Sequence, residues 1–538
     1  MFVSNNYSKT GPFARLSGMK KTIMILGAGV MQGPALRIAA GMGLWTVAVD
    51  GDPDAPCKNL ANQFVHIDLK EKESIADFAG ELQSTQGLDG VMTAGTDFSG
   101  SVAFVAEKLH LPGIPYEVAL NASDKSRMRQ CFEHAGVPSP HWTVADSAPE
   151  SLPFPYPVVV KPVDNMGARG CRRVDSYAEL HDAVTDAVHF SRSGRAIIEE
   201  YMDGPEFSVD AIVYQGDIHI CGIADRHIYF EPYFIEMGHT MPTALSPEYT
   251  TPLLETFKKG VRALGIGNGA AKGDLKLTAQ GPMIGEIAAR LSGGYMSGWT
   301  YPYSSGVEVT EAAIQIALGE NPNIGGSPKK WTSAERAVIS IPGTVSSIQG
   351  IEEAQKNIQN LFMRIKPGDH VRFPENNVTK CANVISAAAS REEAISAAEN
   401  AVRSILIRLN APDPHTEQFL ARIHEAFPPD AFPVTEKIRK ALEALPESVG
   451  EEESIVAFPA LSDSGITDYV GRSVGESLDA VRSLTGYALP VQSTGKYSRG
   501  FWSAFIRGGY QGAAYFIDRI NYFLEYSARS TTVLPFIK

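Results

Sequence analysis

A carboxylate and an arginine lie close together in "GEIAARLSGG" (285–294), and a second carboxylate, Asp274, precedes this stretch. Asp274 and Glu286 end the two strands of a predicted hairpin, and Arg290 follows shortly after Glu286. Carboxylates on adjacent strands can converge on a hard cation such as Mg²⁺, which takes oxygen ligands. In an extended chain Glu286, Ala288 and Arg290 would share one face, with only a methyl group between the acid and the base.

A glycine loop flanked by cations lies upstream of this hairpin. Lys125 begins a predicted helix, Lys161 closes the buried strand "PVVVKP", and the loop "PVDNMGARG" follows. Gly167 and Gly170 would let backbone N–H groups approach an anion closely, and Arg169 adds a fixed charge. For each signal taken alone, a solvated lysine or an ordinary hairpin loop is the alternative interpretation.

The next strand ends in "EEYMDGPEF". The backbone at Tyr201 and Met202 could accept an adenine ring, and Glu206 could bond two vicinal ribose hydroxyls. An edge strand with a charged surface is the alternative. In sequence order, two lysines, a glycine loop, an adenine edge and a carboxylate pair together describe one nucleotide site.

The elements that would position these residues begin with an open parallel sheet. "KKTIMILGAG" (20–29), a helix and "LWTVAVD" predict its first strand–helix–strand unit. Gly27, Gly29 and Gly33 resemble a dinucleotide fingerprint, but the last gap is one residue too long. NAD binding with Asp50 on the ribose is one interpretation. A strand–helix turn that needs glycine is the other, and it is favoured.

The rest of the chain alternates short strands and helices. The patterns predict a helix at 123–140 with Ser123 as N-cap, strand pairs over 155–174, 195–226 and 267–294, and strand–helix–strand–helix over 331–412 with helices at 351–362 and 391–409. The last segment carries an aromatic helical face, which indicates core or a subunit contact: Tyr510, Tyr515, Phe516, Tyr522 and Phe523. A substrate lid or a second acceptor site that includes Trp502 and Arg507 is the alternative for this segment.

Composition excludes several classes of protein. The chain has 538 residues, enough for three or four domains, and a net charge of −13, which argues against nucleic-acid and anionic-membrane partners. Five scattered cysteines without a CxxC pair favour a reducing compartment over a disulfide framework or zinc site. No long apolar run is present and residues 1–18 lack an apolar signal-peptide core, so we expect a cytoplasmic protein with a short N-terminal extension.

The order and spacing of these motifs resemble the ATP-grasp superfamily of carboxylate–amine ligases, over roughly residues 20–412. The matching stretches are "GVPSPHW", "VVVKP", "NMGARG", "EEYMDGPEFSVD" and "GEIAARLSGG". The resemblance implies a multidomain α/β and α+β protein with an N-terminal open parallel-sheet domain (19–121), a two-lobed ATP-grasp domain (122–325), a small α/β module (331–412) and an additional aromatic-rich C-terminal domain (413–538). Its first domain is similar to that of carbamoyl phosphate synthetase and biotin carboxylase.

The resemblance also implies roles for single residues, with ATP and Mg²⁺ (Mn²⁺ as an alternative) as cofactors. Arg290, Lys161 and Arg169 would be catalytic, Arg290 by stabilising the acyl phosphate and the tetrahedral intermediate. Asp274 and Glu286 would bind the metal. The nucleotide would contact Lys125, Lys161, Gly167, Ala168, Arg169, Gly170, Glu199, Glu200, Tyr201, Met202 and Glu206.

The substrate side resembles L-amino-acid (dipeptide) ligases. In "YFEPYFIEMGHTMPTALSP", Glu236 and His239 match an E-x-G-H element that implies an anchor for a substrate ammonium and a nearby polar contact. Arg290, Gly293 and Gly294 would complete the substrate site. Expected partners are a small-molecule carboxylate and an amine, with a homodimer as a further expectation. A solvated Glu236 and a turn-capping His239 are the alternative.

One position departs from the superfamily pattern, which usually carries Asn where Ala288 stands. Because Mg²⁺ accepts water as a ligand, two carboxylates remain compatible with catalysis. We therefore expect an ATP-dependent ligase that forms an amide or peptide bond through an acyl phosphate. A catalytically degenerate ATP-binding regulator and a dinucleotide-dependent oxidoreductase are the alternatives.

Overall fold

The computed structural model describes residues 20–325, 329–422, 427–445, 455, 457–487 and 498–532. The predicted N-terminal extension and the whole acidic "ESVGEEES" stretch lie outside the described residues.

A four-stranded parallel sheet opens the fold, in the order β3-β2-β1-β4. Its strands are buried apolar runs such as "TIMIL", the pattern of a parallel sheet covered on both faces. The elements are β1 (Thr22–Leu26), α1 (Gly33–Gly41), β2 (Trp45–Asp50), β3 (Gln63–His66), α2 (Lys72–Thr85), β4 (Gly90–Thr93), α3 (Ser99–Lys108) and α4 (Tyr116–Ser123), with short 3-10 turns at Val30–Gln32 and Lys58–Leu60.

The glycine loop after β1 is filled by protein side chains. The amide of Ala28 donates to the Asp50 carboxylate (2.6 Å), and the amide of Gly29 donates to Gln32 Oε1 (3.0 Å). The Gln32 side chain lies so close that a Cβ on Gly27 would approach it to 2.8 Å. The loop is therefore a closed turn, and Asp50 serves that turn instead of a ribose.

The first lobe of the next region is an antiparallel sheet with the order β5-β8-β6-β7. Its elements are α5 (Lys125–His134), β5 (Trp142–Ala145), β6 (Val158–Pro162), β7 (Arg172–Val174), α6 (Tyr177–Phe190) and β8 (Ala196–Glu200). The predicted N-cap of α5 is wrong by one residue. Asp124 accepts the amides of Ser126 and Arg127, whereas the Ser123 hydroxyl donates to Ala119 within α4.

An eight-stranded sheet carries the second lobe and continues into the following module, in the order β13-β12-β9-β10-β11-β14-β18-β16. The elements are β9 (Glu206–Tyr214), β10 (Asp217–Tyr229), β11 (Ile235–Met241), α7 (Pro247–Leu264), β12 (Gly269–Thr278), β13 (Gly281–Ala288), a π-helical turn (Met296–Thr300), α8 (Tyr301–Ser305), α9 (Val309–Ala317), β14 (Thr332–Val338), β15 (Gly343–Gln349), α10 (Ile351–Gln355), β16 (Asn360–Met363), β17 (His370–Val371), β18 (Ala382–Ala388), α11 (Arg391–Ser404) and β19 (Leu406–Leu409). A small sheet β17-β15-β19 completes the module.

Two predicted helices of this module are shorter than expected. The helix predicted over 351–362 ends at Gln355, and Asn360–Met363 instead pairs with β18. The helix predicted over 391–409 ends at Ser404, and Leu406–Leu409 pairs with β15. Apolar residues at these helix ends gain more from sheet pairing and burial than from a further helical turn.

The C-terminal segment is helical and packs on this module. It contains α12 (Pro414–Ala421), α13 (Glu436–Glu443), α14 (Pro459–Ser462), α15 (Val474–Thr485) and α16 (Ser498–Thr532), which is interrupted at Gly509. Trp502, Arg507, Tyr510 and Tyr515 are buried in its core, Phe516 packs against that core, and Tyr522 and Phe523 are exposed. The alternative of a substrate lid is therefore wrong. Among the described residues, no helix combines the length and the apolar character that crossing a bilayer requires.

Candidate active site

One cavity of about 400 Å³ lies where the two lobes, the first domain and the 331–412 module meet. Its size suits a nucleotide or a small substrate. Almost all of the site residues predicted from sequence line it: Lys125, Lys161, Gly167, Ala168, Arg169, Glu199, Glu200, Tyr201, Met202, Glu206, Glu236, Asp274, Glu286, Arg290, Gly293 and Gly294.

Two predicted residues lie outside the cavity lining. A Cβ on Gly170 would come within 2.9 Å of the Phe190 ring, so this glycine lets the loop pack closely on α6. His239 is fully buried, with Nε2 3.0 Å from the Thr300 hydroxyl and Nδ1 3.4 Å from Glu335. Its neighbour Glu335 does line the cavity.

The buried carboxylate of Glu199 forms ion pairs with two cations. Its carboxylate lies 2.6 Å from Lys161 Nζ and 2.9 Å from Arg129 Nε. Burial alone would raise the pKa of Glu199, but Arg129 and Lys161 outweigh it and lower this pKa. Arg129 also donates to the carbonyl of Gly285 (2.6 Å) and so joins the two lobes. This geometry suits Glu199 to holding Lys161 in place, and leaves the adenine contact to its neighbours.

Lys125 is the second predicted phosphate cation and begins α5. Its buried ammonium donates to the carbonyl of Asn165 (2.9 Å) and lies 3.4 Å from Glu286. Gly167 and Ala168 both have positive φ, a conformation that turns successive backbone N–H groups toward a concave surface. Arg169 Nε donates to the Met166 carbonyl (3.1 Å) within the loop.

Part of the backbone predicted to bind adenine already forms hydrogen bonds within the protein. The Tyr201 amide donates to the Pro157 carbonyl (3.2 Å), so Met202 carries the next amide along the chain. Lys276, which the sequence reasoning missed, donates to the Met202 carbonyl (3.1 Å), and its ammonium lies 5.1 Å from the centre of the Tyr201 ring. Adenine would therefore lie against the Tyr201–Met202 segment beside Lys276.

Arg226 links three predicted site residues and was also missed. Its guanidinium contacts Glu206 and lies 2.9 Å from Glu236 and 3.0 Å from Asp274. These three carboxylates raise the pKa of Arg226 despite its burial. Arg226 thus lies between the carboxylates predicted to bind the ribose, the metal and the substrate, and it neutralises part of their charge.

The carboxylates predicted to bind Mg²⁺ face each other across one strand pair. Asp274 on β12 pairs with Glu286 on β13, and a bulge at Gly285 sets this register. Lys272 pairs with Ala288, and its ammonium contacts Asp274, so a cation stands opposite the position where an Asn ligand was expected. Across the described part of the chain, no group of three or more His, Cys, Asp or Glu residues forms a metal site. Two carboxylates still fit Mg²⁺, which commonly takes its other ligands from phosphates and water.

Arg290 lines the cavity, and part of its guanidinium has no hydrogen-bond acceptor among the described residues. Nη1 donates to the Leu291 carbonyl (3.1 Å), whereas the buried Nε has no hydrogen-bond partner among the described residues. Burial would raise the pKa of Glu286, but Lys125, Lys161 and Arg290 help to lower it to about 2. The cavity therefore pairs an ionised carboxylate with a guanidinium that lacks a full set of acceptors.

A further acidic residue enters from the first domain. Asp97 follows β4, and its carboxylate interacts with Arg290 and Lys125; burial raises its pKa although both cations act to lower it. Ligands of open α/β sheets bind beyond the carboxyl ends of the strands, and that rule could have identified Asp97 from the sequence.

The substrate end of the cavity is formed jointly by β11 and the 331–412 module. A Cβ on Gly294 would lie 3.8 Å from the Glu236 carboxylate, so this acid faces the predicted substrate loop. The Glu236 amide donates to Asn377 Oδ1 (2.8 Å), and the Asn377 amide donates to the Gly167 carbonyl (2.9 Å). Burial would raise the pKa of Glu236, but Arg226 and Lys380 outweigh it and hold this pKa well below its usual range.

Two family models match this sequence. Residues 154–298 match the ATP-grasp domain, and residues 337–410 match the L-amino acid ligase C-terminal domain 2. The chain contains both domains. The recognition made from the sequence motifs is therefore confirmed, and the two matched ranges together supply most of the cavity described above.

Relatives and solved structures agree with these domains. Carnosine synthase 1 of Homo sapiens is 26% identical over 345 residues, covering 57% of this chain and 41% of the human protein. The alanine–anticapsin ligase of Bacillus subtilis is 27% identical over 287 residues, covering 46% of this chain and 60% of that enzyme. The crystal structure of an L-amino acid ligase from Bacillus licheniformis has the same fold over 73% of this chain and 100% of its own, with a TM-score of 0.66 and 23% identity.

The chain thus spans less than two thirds of the length of these two curated relatives. The relatives support ATP-dependent amide-bond formation and do not favour the oxidoreductase or the degenerate regulator.

The residues that sequence reasoning missed come mostly from outside the recognised motifs: Asp97, Arg129, Arg226, Lys272, Lys276, Glu335, Arg364, Asn377 and Lys380.

Proposed function

We propose that the protein is an ATP-dependent ligase that activates the carboxylate of an amino acid as an acyl phosphate and couples it to an amine, releasing ADP and phosphate. One observation carries this proposal. A single cavity is lined by Lys125, Lys161, Asp274, Glu286 and Arg290, although these residues come from four separate elements and from the loop after β13.

Nucleotide binding would use the side of the cavity where cations are already fixed. Lys125 and Lys161 would contact the phosphates, because each ammonium is held by a carboxylate on a rigid element and still lines the open volume. The Met202 amide would contact adenine and Glu206 the ribose. Asp274 and Glu286 would hold Mg²⁺, which would supply charge neutralisation on the triphosphate.

The chemistry begins with attack of a substrate carboxylate oxygen on the γ-phosphorus of ATP. The bond from that phosphorus to ADP breaks, and an acyl phosphate forms. Lys161 and Arg169 would stabilise the charge on the transferred group, and the 164–171 loop would exclude water that would hydrolyse the product.

The second step joins the amine to the acyl carbon. The C–N bond forms, the bond from carbon to phosphate breaks, phosphate leaves, and the amine proton passes to solvent. Arg290 would stabilise the tetrahedral intermediate, because its buried Nε has no acceptor within the described residues and can donate to a developing oxyanion. Glu236 would hold the ammonium of an amino-acid substrate.

A screen of ADP and phosphate release over pairs of carboxylates and amines tests this function, with the product identified by mass spectrometry. We expect at least one amino acid to stimulate release in the presence of an amine and Mg²⁺-ATP. Lys161→Ala should abolish that release. Lys258 is a partly exposed lysine that pairs with Glu255 on α7. It offers a matched control, and Lys258→Ala should retain full activity. Release that persists in Lys161→Ala, or no release with any pair, would contradict the proposal.

A further inference from the structure

Lys380 is a buried cation at the substrate end of the cavity. Its side chain lines the open volume although the residue is only 7% exposed. Within the described part of the chain, the ammonium donates one hydrogen bond, to the backbone carbonyl of Glu236 (2.7 Å). No carboxylate oxygen of the described residues lies within 4.0 Å of Lys380 Nζ, the distance that defines an ion pair. An ammonium has three donors, so two remain for another partner.

The acids near Lys380 are engaged by other groups. Glu236 is held by Arg226 at 2.9 Å, and Glu335 accepts from the Asn383 amide and lies 3.4 Å from His239. Burial lowers the pKa of Lys380, although Glu335 and Glu236 act to raise it. The protein therefore compensates only part of the free energy that burying the Lys380 ammonium costs. A bound anion from outside the chain would compensate the rest.

The position of Lys380 indicates a substrate as the source of that anion. Its one hydrogen bond fixes it to Glu236, whose carboxylate faces Gly294 in the substrate loop. Two other lysines, Lys125 and Lys161, lie beside the predicted phosphate loop and metal carboxylates. Each of them already forms an ion pair with a glutamate. Arg364 adds a second positive charge at this end, where it donates to the Tyr295 hydroxyl (3.1 Å).

We propose that Lys380 anchors a substrate carboxylate that is not activated, so that the enzyme selects an amino acid bearing a free carboxylate at this end of the cavity. This inference rests on the proposed function. The carboxylate can come from the side chain of an acidic donor or from the α-carboxylate of an amino-acid acceptor, and both would bind the same ammonium. Lys380 would then set substrate choice while Arg290 serves the reacting carbon.

Calorimetry on the full chain tests this inference without turnover. The protein is saturated with a non-hydrolysable ATP analogue and Mg²⁺, then titrated with the twenty L-amino acids and β-alanine. Each binder is compared with its carboxamide: glutamate against glutamine for a side-chain carboxylate, alanine against alaninamide for an α-carboxylate. We expect at least one carboxylate to bind roughly ten- to a hundredfold more tightly than its amide, the range of a buried charge-assisted hydrogen bond.

Variants identify the anchor. Lys380→Met keeps the apolar length of the side chain and should abolish the preference for carboxylate over amide, whereas Lys380→Arg should retain part of it. Arg364→Met should reduce the preference less. Lys366, an exposed lysine of the same module, offers a control, and Lys366→Met should behave as the unaltered protein. Binding of the ATP analogue should be unchanged in all four variants, and circular dichroism checks independently that they are folded.

Each outcome supports or overturns the proposal. A carboxylate preference that survives in Lys380→Met, equal binding of acid and amide, or no binding by any amino acid would overturn it. Loss of analogue binding in a folded Lys380→Met would assign Lys380 to the nucleotide and would also overturn it. A Lys380-dependent preference for carboxylate over amide, without ADP release, would support this inference and contradict the proposed ligase function. ADP release without that preference would support the ligase function and contradict this inference.

Discussion

The cavity and the C-terminal helical segment both bury arginines, but they satisfy them in different ways. In the C-terminal segment Arg472 pairs with Asp468, and Arg507 pairs with Asp430 at 3.0 Å. Both also donate to backbone carbonyls of neighbouring segments: those of Val402, Arg403 and Ile405 for Arg472, and those of Phe419 and Pro428 for Arg507. These contacts join successive pieces of chain. Arg507 Nη2 is also buried without a hydrogen-bond partner among the described residues, but the cavity beside Arg472 measures only about 20 Å³.

In the cavity the charged groups contact one another around an open volume. Arg290 retains a buried donor without a described partner, and Lys380 has no described carboxylate within ion-pair distance. A buried charged side chain that bonds to backbone carbonyls indicates a structural role. A buried charged side chain that faces an open cavity indicates a binding site for a ligand. Substitutions in the two regions should therefore damage different properties, the cavity its activity and the C-terminal segment its stability.

Glu286→Gln should have the largest effect, and on activity. The substitution keeps the shape of the side chain but removes a negative charge that lies 3.4 Å from Lys125 and would bind the metal. We expect kcat to fall about a thousandfold, equivalent to roughly 4 kcal/mol of transition-state stabilisation. Rates of ADP release measure the effect, and circular dichroism checks the fold.

The matched control for this prediction is Glu255→Gln on the exposed face of α7, which should leave kcat unchanged. A Glu286→Gln enzyme with nearly full activity would show that the carboxylate pair is not the metal site.

Arg507→Met should mainly reduce stability. The variant loses the ion pair with Asp430 and the contacts with two carbonyls in a fully buried position. We expect the free energy of unfolding to fall by about 3 kcal/mol, as for other broken buried pairs. Urea unfolding measures the loss, and below the transition the folded variant should bind the ATP analogue normally.

Arg519 provides the comparison within the same helix, because it pairs with Glu417 at the surface. Arg519→Met should cost less than about 1 kcal/mol. Equal losses in the two variants would remove the distinction between a buried scaffold charge and a surface charge.

The same distinction explains how far the sequence could predict the structure. Short-range patterns predicted the strands that carry Lys161, Asp274 and Glu286, because hydrophobic runs and glycine turns specify these elements locally. The predicted strand end at Asp274 is wrong, since β12 continues to Thr278. The patterns also failed at Asn360–Met363 and Leu406–Leu409, which become strands only because β18 and β15 are there to pair with them. Such partners lie far away in the sequence, and a local pattern does not identify them.

The candidate site shows the same limit. Residues within a glycine loop or a strand end could be identified one motif at a time, and nearly all of them line the cavity. Arg226 and Lys380 have no motif around them, and their importance comes from tertiary contacts with Glu236 on β11. His239 matched a motif but lies behind Glu335, because spacing along a strand does not specify which side chain faces the cavity.

The pH dependence of stability should reveal the charge environment of Glu286. Its pKa is lowered from an ordinary value of 4.5 to about 2 because several cations outweigh its burial. The group therefore contributes stability that is fully present above about pH 4.5 and is lost as the pH falls through 2. We expect the difference in unfolding free energy between wild type and Glu286→Gln to shrink steadily from pH 5 to pH 2. A difference that stays constant over this range would mean that Glu286 titrates normally.

Asn377→Ala should produce the smallest effect, and one confined to substrate binding. The Asn377 side chain accepts the Glu236 amide, while its own amide holds the phosphate loop at Gly167 through a backbone contact that alanine keeps. Losing one neutral hydrogen bond of about 1 kcal/mol should raise the KM of the amino acid roughly fivefold, with kcat and the KM of ATP nearly unchanged. Asn400→Ala on the exposed face of α11 is the control and should alter neither constant. If the KM of ATP rose instead, Asn377 would act through the phosphate loop, and the substrate end of the cavity would not be separable from the nucleotide end.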